Sequence, residues 1–255
     1  MKAMRMHMEH GGKGSDLLLL LHGMGATGAV WSPFCAEAGA RWRGRWLAMD
    51  LPGHGSSDRQ ESYGIGQYAA TVARAVLPHV DPAGRLVVLG HSLGGVIALA
   101  LATGWFGVAP HSVFGAGIKV AWTDEELQRM ESLAAQPAKR LPTKEEASQR
   151  YLKVAGLAGI AEAASPVTAR GIARDADGWR LSMDPRGHGV GPPPMTELMA
   201  LARCPVHLGR GDHDAMVTLE QLRALDPGAQ GLGPHGHNVM VEAPARVWDW
   251  VASAA

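Results

Sequence analysis

The chain has 255 residues, 46% hydrophobic and 19% charged, enough for one large domain with a buried core. Lys plus Arg is 24 and Asp plus Glu is 24, so the formal net charge is zero. No basic field or polybasic run points to nucleic acid or to an anionic membrane surface. Two distant cysteines, Cys35 and Cys204, make no disulfide framework and read as reduced thiols of a cytoplasmic protein.

From Met1 to Gly14 the sequence mixes His, Glu and Gly, with no apolar period. The run Leu17 to Leu21 is too short for a signal-peptide core or a membrane span, and it ends in His-Gly, as a buried strand entering a turn would. Strands are expected within 16–23, 45–53, 85–92, 111–120 and 205–212. Residues 229–234 are a weaker candidate, poor in β-formers and included for what flanks them. Helices are expected at 64–80, 93–103, 218–225 and 241–254; Tyr68, Val72, Val76 and Val80 give the first its period. This alternation predicts an α/β fold with a mostly parallel open sheet flanked by helices, and ligands in such sheets sit at the carboxyl ends of the strands.

Residues 121–194 break the rhythm. No buried strand is evident there. Thr123 followed by three acids, and Thr143 followed by Glu146, mark two helix starts, and prolines punctuate the stretch. The expectation is a core domain of residues 1–120 and 195–255 with a helical insertion at 121–194.

Chemistry concentrates at the strand ends. Gly90-His91-Ser92-Leu93-Gly94 is G-x-S-x-G between a strand and a helix. The turn that lifts a serine clear of a sheet is sharp, and side chains two residues to either side would collide. Gly90 and Gly94 answer that need, and the Leu93 N–H opens a helix facing a developing oxyanion. A phosphate-binding turn is the alternative, but neither G-x-G-x-x-G nor a G-K-[ST] ending is present. His22-Gly23-Met24-Gly25 is a second Gly-rich turn, and the Met24 N–H is the candidate second oxyanion donor. Asp212, His213 and Asp214 stand in consecutive positions and admit three readings: a metal site, one catalytic acid among bystanders, or a polar turn.

These motifs resemble the α/β-hydrolase superfamily, from about Leu17 to Trp250, with the insertion where that family carries its lid or cap. "DLPGHGSSD" (50–58) resembles a family loop in which Gly53, His54 and Gly55 are structural. The family order of nucleophile, acid and histidine implies roles for the rest. Gly236-His237 with Glu242 and Pro244 fits the family's histidine register and His235 does not, so His237 is the implied general base. Gly211, Asp214 and Val217 fit the family's acid spacing. Asp212 fits half of it, because Ala215 stands at its Val position. Asp214 is therefore the implied acid, Asp212 a turn former and His213 a solvated loop residue. Adjacent Asp and His are poorly placed to converge on one ion, and no distant ligand set stands out.

The resemblance implies a serine hydrolase acting on an ester or similar acyl bond of a small, apolar substrate, without cofactor or metal. Its oligomeric state is not legible. His22, Trp31, Trp122 and Trp179 are candidate substrate contacts. Relatives with the same triad run perhydrolase, carbon–carbon hydrolase or lyase chemistry, and a small-molecule receptor on this fold is the non-enzymatic alternative.

Overall fold

Five consecutive leucines, Leu17–Leu21, form an interior strand of the sheet, and all five are buried. Side chains alternate across a strand. Leu17, Leu19 and Leu21 enter one core, and Leu18 and Leu20 the other. A strand needs such a continuous apolar run only when helices cover both of its faces. In this computed structural model, which describes residues 4–254, they do.

The strands are β1 (Met8–Gly12), β2 (Leu17–Leu21), β3 (Arg45–Met49), β4 (Leu86–His91), β5 (Ser112–Ala116), β6 (Ile172–Asp175), β7 (Gly178–Leu181), β8 (Val206–Arg210) and β9 (Gln230–Gly231). Seven of them make one sheet in the order β1-β3-β2-β4-β5-β8-β9, parallel throughout except for β1. The helices are α1 (Ser32–Arg41), α2 (Ile65–Val76), α3 (Leu93–Ala102), α4 (Asp124–Ala135), α5 (Lys144–Val154), α6 (Pro166–Arg170), α7 (Met195–Leu201), α8 (Leu219–Arg223), α9 (Val239–Glu242) and α10 (Pro244–Ala252). Helices α2 and α3 cover one face of the sheet through Tyr68, Val72, Ile97 and Leu101. Helices α1 and α10 cover the other through Phe34, Ala38, Val247 and Val251.

The structure departs from expectation in several places. Strand β1 lacks an apolar run because it is an edge strand paired with β3 alone. Its Gly11 lies under Trp46, where a Cβ would stand 2.6 Å from the indole ring. Helix α1 was not anticipated; Pro33 opens it, and the buried Phe34 and Ala38 are its anchors. The last helix breaks into α9 and α10 at Pro244, which has no N–H and disfavours helical backbone at Ala243, here at φ −142° and ψ 63°. Between β5 and α7, α4 and α5 start at the expected threonine caps, Thr123 and Thr143. That segment also holds a hairpin of β6 and β7, turning through Ala176 and Asp177, with Gly178 at φ +119° opening β7. Its strands are only half-buried, so they carry no apolar signature.

The expected core segments end at residues 1 and 255, and residues 1–3 and 255 lie outside the described ones. Among the described residues no helix is long and apolar enough to cross a membrane. Cys35 and Cys204 are both free thiols.

Candidate active site

The loops that leave the carboxyl ends of β2, β4, β5 and β8 meet around Ser92. Ser92 has φ +50° and ψ −116°, the one positive φ of a non-glycine residue among the described residues. Such a conformation costs on the order of 1–3 kcal/mol and must be held by its surroundings. The Ser92 N–H donates to Ala116 O at 2.9 Å, and its carbonyl accepts from Gly95 at 2.9 Å and Val96 at 3.2 Å. A Cβ on Gly90 would stand 2.2 Å from Gly94 O, and one on Gly94 would stand 2.2 Å from Leu21 O. Both glycines are thus demanded by backbone packed on backbone. Among the described residues, the N–H groups of Met24 and Leu93 have no protein acceptor.

Two buried histidines brace the turn that carries Met24. His22 Nδ1–H donates to Gly23 O at 2.8 Å, and its Nε2 accepts the Leu51 N–H at 2.9 Å. His54 Nδ1–H donates to Pro52 O at 3.1 Å, and its Nε2 accepts the Gly25 N–H at 3.2 Å. Each ring therefore has one donor and one acceptor nitrogen in use, which fixes a neutral tautomer. Burial lowers the pKa of His22 to about 4; burial, with the neighbouring His22, lowers that of His54 to about 3. Asp50 adds a third brace, accepting from Gly28 N–H at 2.7 Å and Ser56 N–H at 2.9 Å.

Asp214 is buried and accepts from His237 Nδ1–H at 3.0 Å and from the Met216 N–H at 2.8 Å. With Nδ1 donating to Asp214, the neutral ring of His237 leaves Nε2 as its unprotonated nitrogen. Gly117, at φ +61°, passes so close that a Cβ would stand 3.0 Å from Asp214 Oδ2 and 3.2 Å from His237 Nδ1. His237 reaches the serine turn through His91, whose Nε2–H donates to His237 O at 2.9 Å, with the rings 4.5 Å apart. Among the described residues no hydrogen bond joins Ser92 to His237. Geometry separates the three readings of Asp212, His213 and Asp214. Asp212 and His213 are exposed while Asp214 turns inward, so the three side chains do not converge.

Ser92 lies in a cleft of about 210 Å³ walled by Met24, Leu93, Trp122, Met130 and Met216. Of the four candidate substrate contacts, Trp122 alone is on this wall. His22 is fully buried behind the Met24 turn with both nitrogens engaged. Trp31 is fully buried against Phe34, with ring centroids 5.7 Å apart. Trp179 pairs with Leu141 in the hairpin, between Lys144 and Arg174. Sequence reasoning gave no role to His91, although it is the second residue of the quoted motif. It also passed over Lys119, which lines the cleft and pairs with Glu126 of α4.

The sequence model of the alpha/beta hydrolase family matches residues 18–250, and the chain belongs to that family. It is 39% identical over 101 residues to the pimeloyl-[acyl-carrier protein] methyl ester esterase of Aeromonas salmonicida (strain A449), a match covering 39% of this chain and 36% of that protein. It is 31% identical over 111 residues to a 2-hydroxy-6-oxononadienedioate/2-hydroxy-6-oxononatrienedioate hydrolase of Escherichia coli O139:H28 (strain E24377A / ETEC), covering 41% of this chain and 37% of that one. The chain thus spans about a third of the length of these curated relatives. Among solved structures, a thioesterase domain from the curacin biosynthetic pathway superposes with a TM-score of 0.80 at 20% identity, over 98% of this chain and 95% of that one, a likeness of fold.

Two outcomes follow. In the unfolded chain His22 and His54 take up protons near pH 6.5, whereas folded they resist to about 4 and 3. Below pH 6.5 the unfolded state binds more protons, so stability falls as pH falls, by about 1.4 kcal/mol per pH unit per histidine until each folded value is reached. Urea midpoints should drop from pH 6.5 to 4.5, and more shallowly in His54→Asn; a flat wild-type profile would contradict the neutral assignment. Trp31→Ala should lose about 3–5 kcal/mol of stability, read by urea unfolding, because it empties a core position.

Proposed function

We propose that the protein is a serine hydrolase that cleaves an ester or similar acyl bond of a small, apolar substrate, with Ser92 as nucleophile, His237 as general base and Asp214 as its partner. The observation that carries this reading is the Ser92 turn itself: a strained serine at the floor of a cleft, beside two N–H groups with no protein acceptor.

In the proposed cycle Ser92 Oγ attacks the acyl carbon and its proton passes to His237 Nε2. The oxyanion is held by the N–H groups of Met24 and Leu93. Collapse of the tetrahedral intermediate expels the alcohol, which takes the proton from His237. Water, deprotonated by His237, then attacks the acyl-enzyme, releasing the acid and restoring Ser92. Asp214 orients the ring and stabilises the imidazolium. Nucleophile–base hydrogen bonds are commonly long before substrate is bound, which accommodates the missing Ser92–His237 bond.

Residues 121–194 act as a cap in this reading, setting selectivity through Trp122 and Met130. The ion pair of Lys119 with Glu126 ties α4 to the loop after β5. The likeness to a methyl ester esterase favours ester cleavage, and the likeness to a dioate hydrolase makes carbon–carbon bond hydrolysis the second reading.

Nitrophenyl esters of graded acyl length test the assignment. Ser92→Ala should lower kcat by on the order of 10⁴-fold or more with folding intact. Asp214→Asn should lower it by about 10²–10⁴-fold, whereas Asp212→Asn should stay near wild type. Wild-type turnover by Ser92→Ala defeats the proposal, and a reversed ranking of the aspartates moves the acid to Asp212. Trp122→Ala should reorder the acyl preference by about 1–3 kcal/mol; an unchanged order removes Trp122 from the substrate site.

A further inference from the structure

A second cavity, of about 420 Å³, lies beside the Ser92 cleft and shares one wall residue with it, His188. The partition between them is thin. Gly187 precedes His188, and a Cβ there would stand 3.6 Å from Met183 of the second cavity and 3.8 Å from Met24 of the first. Val154, also of the second cavity, packs on Gly25, where a Cβ would meet its Cγ1 at 2.7 Å. The turn carrying Met24 thus stands between the two spaces.

The cavities differ in charge. Apolar side chains dominate the Ser92 cleft. The second cavity is lined by Lys139, Arg140 and Arg150, with no aspartate or glutamate. Arg140 is paired with Asp175, which also holds Arg180 at 3.1 Å. Lys139 and Arg150 have no carboxylate partner among the described residues. Arg150 is half-buried on α5, beside Val154, and its charge joins burial in lowering the pKa of His188. Solvated surface arginines without partners are ordinary. A half-buried guanidinium among like charges is less so, because desolvation and repulsion both favour an incoming anion.

We propose that this second cavity receives an anionic group of the substrate, a carboxylate or a phosphate, held by Arg150 with Lys139, so that the substrate spans both cavities past His188. The proposal rests on the hydrolase reading of Ser92. It narrows the substrate from an apolar ester to an acyl compound with an anion one cavity away from the scissile bond. A planar guanidinium suits both anions, since each offers two oxygens to its paired N–H groups.

Two matched pairs distinguish where the anion lies. Methyl hexanoate against monomethyl adipate places a carboxylate on the acyl half. Hexanoyl-N-acetylcysteamine against hexanoyl-phosphopantetheine places a phosphate on the leaving half. For at least one pair the anionic member should have a kcat/KM at least about tenfold higher, carried by KM, the scale of one hydrogen-bonded charge pair. Arg150→Gln should bring that ratio close to one, Arg150→Lys should retain part of it, and Lys144→Gln, on the same helix outside the cavity, should leave it intact. Added salt should shrink the preference. Ratios near one for both pairs in the wild type, or a preference that survives in Arg150→Gln, would overturn the proposal.

If neither member of either pair turns over in a Ser92-dependent way, the hydrolase reading falls, and the anion site is judged by binding. Glutarate and inorganic phosphate are then titrated while Tm is followed. A saturable rise with either, absent from Arg150→Gln, supports the site; no such rise with either overturns it.

Discussion

The site depends on one close approach: the start of α3 lying on the end of β2. Gly94 touches Leu21 O, and Gly90 touches Gly94 O, at distances that leave no room for a Cβ. This contact allows the chain to reverse from strand to helix within one residue. That residue is Ser92, and it takes the strain as a positive φ. The same reversal leaves the Leu93 N–H at the head of a helix with nothing in the protein to bond. Strain, exposure of the hydroxyl and a free donor are consequences of a single packing arrangement, held by the large apolar cores on both faces of the sheet.

Histidine has two different uses in this protein. His22 and His54 are structural: buried, neutral and fixed by backbone groups on both nitrogens, they join the Met24 turn to the loop after β3. His91 joins the serine turn to the backbone of His237. His237 is hydrogen-bonded to a buried carboxylate, which can stabilise a positive ring when one forms. The braces hold the Met24 and Leu93 N–H groups and His237 at fixed positions, which is what the proposed stabilisation of an oxyanion would require. Their neutrality matters equally, since a charged imidazolium has no acceptor nitrogen left for the Leu51 or Gly25 N–H.

The centre of the sheet was legible from the sequence because its strands are buried on both faces and read as unbroken apolar runs. The serine turn was legible because its sterics admit only glycine at two fixed positions. Edge strand β1 was not, since one partner and partial exposure leave no apolar alternation. Nor was the hairpin of β6 and β7, whose pairing is set by a short turn within a polar stretch. Among candidate residues, tryptophan and histidine were ambiguous in sequence. Trp31 and His22 are adjacent to the motifs in the chain, yet the backbone turns both into the core, while Trp122 reaches the cleft wall. The cavity lined by Arg150 was invisible for another reason. It is assembled from α5, the loop after α4 and the turn at Pro185–His188, which only tertiary folding brings together.

The central claim is that Ser92 is a nucleophile activated by His237, and covalent capture tests it without any knowledge of the natural substrate. The protein would be incubated with a fluorophosphonate, weighed intact and mapped by peptide mass. The account predicts a single phosphonyl adduct per chain on Ser92, formed far more slowly in His237→Ala. No adduct on the folded protein, or an adduct at another residue with Ser92 unmodified, would contradict it.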